Sequence, residues 1–147
     1  MRISNMRVDH IGYAVRSISS ARAFLELLGF SVASEEILDE AQRSRIQFLT
    51  SGGLKVELIE PISDDSPTVQ ILRRLGPLPY HLCFVSEDFD GTLERLKARA
   101  ILVVDGVPAK AFGGRRVAFF YSKEIGLFEV LEGEIIGEKG GCGGCYR

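Results

Sequence analysis

Val8-Asp9-His10-Ile11-Gly12-Tyr13-Ala14-Val15 decides how this chain is read. The β-branched and aromatic residues make it a strand, short and half-buried. Side chains alternate across a strand, so His10 shares a face with the small Gly12 and Ala14. That face is a hollow with an imidazole at its mouth. A second such stretch, Pro79-Tyr80-His81-Leu82-Cys83-Phe84-Val85, puts His81 in the matching place 71 residues later. These are the chain's only two histidines.

Working outward from each histidine gives the same run of elements. After the first strand, Ser17–Ser20 offers an N-cap and residues 21–28 have helical spacing, with Ala21, Phe24, Leu25 and Leu28 on one side before Gly29. Strands are predicted at Phe30–Ser34, Arg45–Leu49 and Leu54–Glu60, with a polar stretch over Glu35–Ser44 and a stop at Pro61. A helical linker occupies residues 62–76, started by Ser63-Asp64-Asp65-Ser66-Pro67 and ended by Gly76. Then the pattern restarts: strand His81–Val85, helix Asp88–Arg99, strand Ile101–Val104, loop Pro108–Gly114, and strands Arg115–Tyr121 and Leu127–Glu132.

The chain is thus a βαβββ module over residues 7–61 and a second over 77–132, within one domain spanning 1–147. At a shift of 71, Arg45-Ile46-Gln47-Phe48-Leu49 lies over Arg116-Val117-Ala118-Phe119-Phe120. At a shift of 72, Val56-Glu57-Leu58-Ile59 lies over Phe128-Glu129-Val130-Leu131. Residues 133–147 are a glycine- and cysteine-containing tail with little to bury, expected to be flexible.

The repeat also duplicates a glutamate. Glu57 follows His10 by 47 residues, and Glu129 follows His81 by 48. Each glutamate is flanked by apolar residues that point the other way, towards helices, so it shares the histidines' face. Taken singly, each histidine reads as a hydrogen-bonded core residue and each glutamate as the wet side of a strand. Taken together and in register, the four need something to offset their desolvation, and one divalent cation does so. Imidazole nitrogen and carboxylate oxygen suit Zn, Mn, Co, Ni or Fe. The expected ligands are therefore His10, Glu57, His81 and Glu129.

Composition narrows the remaining classes. With 147 residues the chain can bury a sizeable core. A net charge of −2 without a large basic block argues against nucleic acid or an anionic membrane as partner. No apolar run is long enough to span a bilayer, and Asp9 and His10 interrupt any secretory h-region. Cys83 lies in a strand while Cys142 and Cys145 lie in the tail, which is no disulfide framework, so a reduced cytoplasmic setting is expected.

Over residues 7–132 the chain resembles the vicinal oxygen chelate superfamily, and within it the methylmalonyl-CoA epimerase family. Val8-Asp9-His10-Ile11 resembles the first-ligand strand, Val56-Glu57-Leu58-Ile59-Glu60-Pro61 the second, His81-Leu82-Cys83-Phe84 the third, and Gly126-Leu127-Phe128-Glu129-Val130 the fourth. Gly114-Arg115-Arg116-Val117-Ala118-Phe119 is similar to the intervening glycine loop and strand. Tyr121-Ser122 stands where the family has His-Pro, and the third strand offers Ile46 and Gln47 where some epimerases are proposed to use a second carboxylate.

The resemblance implies an α+β fold: two modules forming an open, cupped eight-stranded mixed sheet, helices on the outer face, one metal in the cup. It implies a small-molecule substrate, an acyl-CoA or other thioester, and a homodimer. It further implies an isomerase that removes and returns the α-proton, with Glu129 as base and Glu57 as ligand or partner base. Among substrate-binding candidates, Arg115 and Arg116 follow Gly114 and could meet a carboxylate or phosphate; the solvent-facing start of a strand is the plainer reading. Gln47 is a candidate for the cup, with a core or edge position the alternative. The competing functions are a glyoxalase I-like lactoylglutathione lyase with the same ligands, an Fe(II) dioxygenase, and a non-catalytic small-molecule-binding protein. A fourth ligand weighs against the dioxygenase, and the intact ligand set against the binding protein.

Overall fold

Alternation sets the strands and turn residues cut them. The computed structural model describes residues 2–135. In chain order the elements are β1 (Met6–Ala14), α1 (Ile18–Leu27), β2 (Ser31–Val32), β3 (Ile37–Asp39), β4 (Ser44–Ser51), β5 (Leu54–Pro61), α2 (Val69–Leu75), β6 (Leu78–Ser86), α3 (Phe89–Lys97), β7 (Ile101–Pro108), a single 3₁₀ turn (Lys110–Phe112), β8 (Arg116–Ser122) and β9 (Gly126–Glu132). The strands form one mixed sheet in the order β2-β4-β5-β1-β6-β9-β8-β7, with β3 also pairing β4. Nine strands therefore fill eight positions, because β2 and β3 share one edge of β4 at Leu49–Thr50 and at Ser44–Ile46. The stretch expected to be only polar holds β3, whose Ile37 packs against a buried cluster on the cup side.

Each module has its parallel pair at the centre, β1 with β5 and β6 with β9, and the modules join through the antiparallel pair β1–β6. On the outer face, Ile18, Ala21 and Leu25 of α1 pack on Leu49, Val56 and Leu58. Phe89 and Leu93 of α3 pack on Ala118, Phe120, Phe128 and Val130. Fully buried side chains such as Leu58 and Phe120 each contribute about 1.5–3 kcal/mol.

The α1 stripe is narrower than its spacing predicts. Phe24 and Leu28 stay exposed because the contact line runs through Ile18, Ala21 and Leu25. Ser17 caps the helix by accepting from the Ser20 N–H, and Asp88 does the same for α3 through the Gly91 N–H. No helix among the described residues is long and apolar enough to cross a membrane. Cys142 and Cys145 lie outside the described residues.

Candidate metal centre

Val56 and Leu58 point at α1, so Glu57 between them points into the cup. Phe128 and Val130 point at α3, so Glu129 does likewise. Both histidines arrive from the seam between modules. His81 pairs directly with Gly12, and a Cβ at Gly12 would lie only 2.5 Å from His81 Nε2. The hollow left by Gly12 is thus filled by the other module's imidazole.

All four side chains are brought together and buried: His10 is 0% exposed, His81 4%, Glu57 4% and Glu129 3%. His10 Nε2 stands 3.3 Å from Glu129 Oε1 and 3.7 Å from Glu57 Oε2, and His81 Nε2 is 3.7 Å from Glu129 Oε1. Ligand atoms of His10, Glu57 and His81 lie within 4.8 Å of one another, as do those of His10, Cys83 and Glu129. His10 Nε2, both nitrogens of His81 and Glu129 Oε1 are buried without a hydrogen-bond partner. Unpartnered buried donors and acceptors are costly, and a cation would take up their lone pairs. The residues present fit a divalent metal of the imidazole–carboxylate kind.

The site's electrostatics split the two carboxyls. Burial pushes Glu57 upward, against the pull of His10 and with the help of the Glu129 charge. Burial also works on Glu129, but the close approach of His10 and His81 outweighs it and holds that carboxyl low. His10 itself is opposed by burial, yet its hydrogen bond to Asp9 and the neighbouring Glu129 and Glu57 carboxyls lift it to about 9. Environments that drive two carboxyls apart suit them to different proton-transfer roles.

Other groups at the site carried no functional assignment in the sequence reading. Cys83 lies level with His10 on β1 and with Glu129 on β9. Burial and the Glu129 charge push its thiol far up, so it stays protonated. Its spacing of two from His81 was the signal that it shares that face. Tyr80 enters the cup through a register shift in β6 and packs edge-on to His81 at 4.6 Å between centroids. Phe112, from the turn after β7, lies over His10 at 5.5 Å with an interplanar angle of 19°. Phe48 and Phe119 complete the aromatic wall.

The remaining sequence candidates lie elsewhere. Gln47 is on the outer face: it alternates with the cup-facing Ile46 and Phe48, pairs with Leu58, accepts from Arg22 Nη1 at 2.8 Å and donates to the Ser34 carbonyl. Arg116 is also turned outward, bidentate to Asp90 at 3.0 and 3.1 Å, bound to Glu132 at 2.7 Å and stacked on Phe89. The carboxylates it meets are the protein's own. Arg115 is exposed at the rim beside Phe112, donating to its carbonyl, and Gly114 is exposed with φ of +86°.

Residues 9–119 match the profile described as the Glyoxalase/Bleomycin resistance protein/Dioxygenase superfamily. The chain belongs to that superfamily. The chain is similar to YqjC of Bacillus subtilis, an uncharacterised protein, at 34% identity over 129 residues, covering 86% of this chain and 91% of that one. The ethylmalonyl-CoA/methylmalonyl-CoA epimerase of Cereibacter sphaeroides is 29% identical over 124 residues, covering 81% of this chain and 90% of its own. A solved structure, a variant of Streptomyces coelicolor methylmalonyl-CoA epimerase in complex with 2-nitronate-propionyl-CoA, superposes with a TM-score of 0.74. It is 26% identical, and the match covers 90% of this chain and all of that one.

Proposed function

We propose that the protein is a metal-dependent isomerase that exchanges the proton α to a thioester carbonyl, of the methylmalonyl-CoA epimerase kind. The observation that carries this reading is the convergence of two imidazoles and two buried carboxylates, with His10 Nε2, both His81 nitrogens and Glu129 Oε1 lacking partners. Similarity to epimerases, one of them solved with an acyl-CoA analogue, supports the substrate class.

In this reading His10, Glu57, His81 and Glu129 hold one divalent cation, which when bound supplies Lewis acidity to the thioester carbonyl. Glu129, kept ionised by its imidazole neighbours, accepts the α-proton at a carboxylate oxygen as the C–H bond breaks. Glu57, the other carboxylate of the cup, is the partner base, and a proton it takes up on shifting off the cation can be delivered to the carbon as the C–H bond re-forms. Phe48, Phe112, Phe119 and Tyr80 exclude water and suit a short acyl group. Because the four polar groups are at most 4% exposed, the segment carrying Phe112 must move for substrate to enter.

The test is methylmalonyl-CoA incubated with cobalt-loaded protein in D2O, read by mass spectrometry. Deuterium at the α-carbon, lost in Glu129→Gln, supports the reading. No uptake, with turnover of the methylglyoxal–glutathione adduct instead, assigns the glyoxalase I-like reaction. Neither activity, with metal absent after loading, leaves a small-molecule-binding protein.

A further inference from the structure

The residue before His10 stands where a regular strand would not put it. On the N-terminal half of β1, Met6 packs with the outer cluster under α3; further along, Ile11 and Tyr13 pack with the outer cluster under α1. Even-numbered residues face outward at one end and odd-numbered ones at the other. The change of phase falls at Asp9, where the β1–β6 register slips: Val8 pairs Phe84, the next pair is His10 with Cys83, and Asp9 is the extra residue. Without that bulge His10 would continue the outer-facing series of Met6 and would miss the cup. The bulge also brings the Asp9 side chain alongside the imidazole, where its Oδ2 lies 2.8 Å from His10 Nδ1.

We propose that Asp9 is a positioning residue for the metal centre. Its carboxylate holds His10 in one orientation and one tautomer, and Lys55 holds the carboxylate in turn. The inference rests on the metal reading of the site. An ionised carboxylate only accepts hydrogen bonds, so Nδ1 must be the donor. In neutral His10 the lone pair is then on Nε2, the unpartnered atom that faces Glu57 and Glu129. A carboxylate behind a ligating imidazole fixes the ring and raises its basicity. Lys55 Nζ lies 3.2 Å from the same Asp9 oxygen and tethers it from the adjacent strand β5. His81 has no equivalent: neither of its nitrogens finds a partner, and the bulged residue before it is Tyr80, whose contact is ring against ring. The two imidazoles are thus held differently, His10 by charge and His81 by Gly12 and the aromatic wall.

The experiment is calorimetric titration of chelator-treated protein with Zn2+ and Co2+, for wild type, Asp9→Ala, Asp9→Asn and Lys55→Met. Asp9→Ala should bind about 10–100-fold more weakly, the usual effect of removing such a partner. Asp9→Asn should lose less, since its amide oxygen still accepts from Nδ1–H. Lys55→Met should lose least, in the same direction. Proton NMR adds a readout that a merely structural role would not move. With two histidines in the chain, a solvent-protected imidazole N–H signal should be present in wild type and Asp9→Asn and gone in Asp9→Ala. If Asp9→Ala does not fold, Asp9→Asn and Lys55→Met decide. Wild-type affinity in these variants, or a protected signal surviving in Asp9→Ala, overturns the proposal. A wild type that takes up neither cation refutes the metal reading directly, and the positioning role with it.

Discussion

Replacing Gly12 by alanine adds one methyl group, and the structure says where it goes. The new Cβ would stand 2.5 Å from His81 Nε2 and closer still to Cε1 and Nδ1, whereas ordinary contact begins at 3.4 Å, so the ring must retreat by more than about 1 Å. Metal–ligand distances hold to within roughly 0.2 Å, so a ligand displaced that far no longer reaches. Overpacking of this kind costs about 1–3 kcal/mol. At roughly 2–4 °C per kcal/mol for a chain of this size, Tm should fall by about 2–12 °C. Affinity for Zn2+ or Co2+ should fall at least about tenfold. Gly53→Ala is the control, because nothing lies within 4 Å of its Cβ, and it should be neutral or stabilising by up to about 1 kcal/mol. Calorimetry and thermal unfolding on the three proteins read both effects. If Gly12→Ala melts and binds metal as the wild type does, the close approach of His81 to β1 is wrong and the site must be redrawn.

Three further outcomes follow from other parts of the molecule. Phe112→Ala should cost about 2 kcal/mol, less than the roughly 3–5 of a fully buried Phe, and should speed cation uptake in stopped-flow mixing; unchanged uptake would show that Phe112 does not gate the cup. Hydrogen bonds from Arg116 hold the Asp90 and Glu132 carboxyls below their ordinary range, so their stabilisation is present above about pH 4 and fades as pH falls through the lowered values. Denaturant titrations of Arg116→Met should therefore show a deficit against wild type that shrinks between pH 6 and pH 3; a deficit constant with pH would remove the ion pairs as its cause. Saturating the centre with Zn2+ at about 100 times its Kd should raise Tm by about 5–11 °C over protein in excess chelator, and an unmoved Tm would argue against a folded-state metal site.

The paired histidines and glutamates were legible because strand alternation carries across β5 and β9 without interruption. Val56 and Leu58 had to face a helix, so Glu57 could not. The same rule applied to the repeat would have placed Gln47, since the shift that aligns the strands lays it over Ala118, which packs under α3. Asp9 was not legible in this way. Neighbouring strand residues point to opposite faces, and no residue in Val8-Asp9-His10 announces the bulge that overrides this. β3 escaped for a related reason: three residues between polar neighbours, paired to an edge already shared with β2, leave too short a pattern to read.

The antiparallel seam between β1 and β6 has a consequence for how such a chain could arise. Half of it alone would leave one central strand with a full row of unsatisfied amides and carbonyls along its side. An antiparallel border is complementary to itself, so the simplest cover for that row is the same border of an identical half. A symmetric pair of single-length ancestors would then have owned a four-group pocket before any gene fusion, with both histidines equivalent. In a single chain the two histidines are free to differ, as their neighbours Asp9 and Tyr80 do.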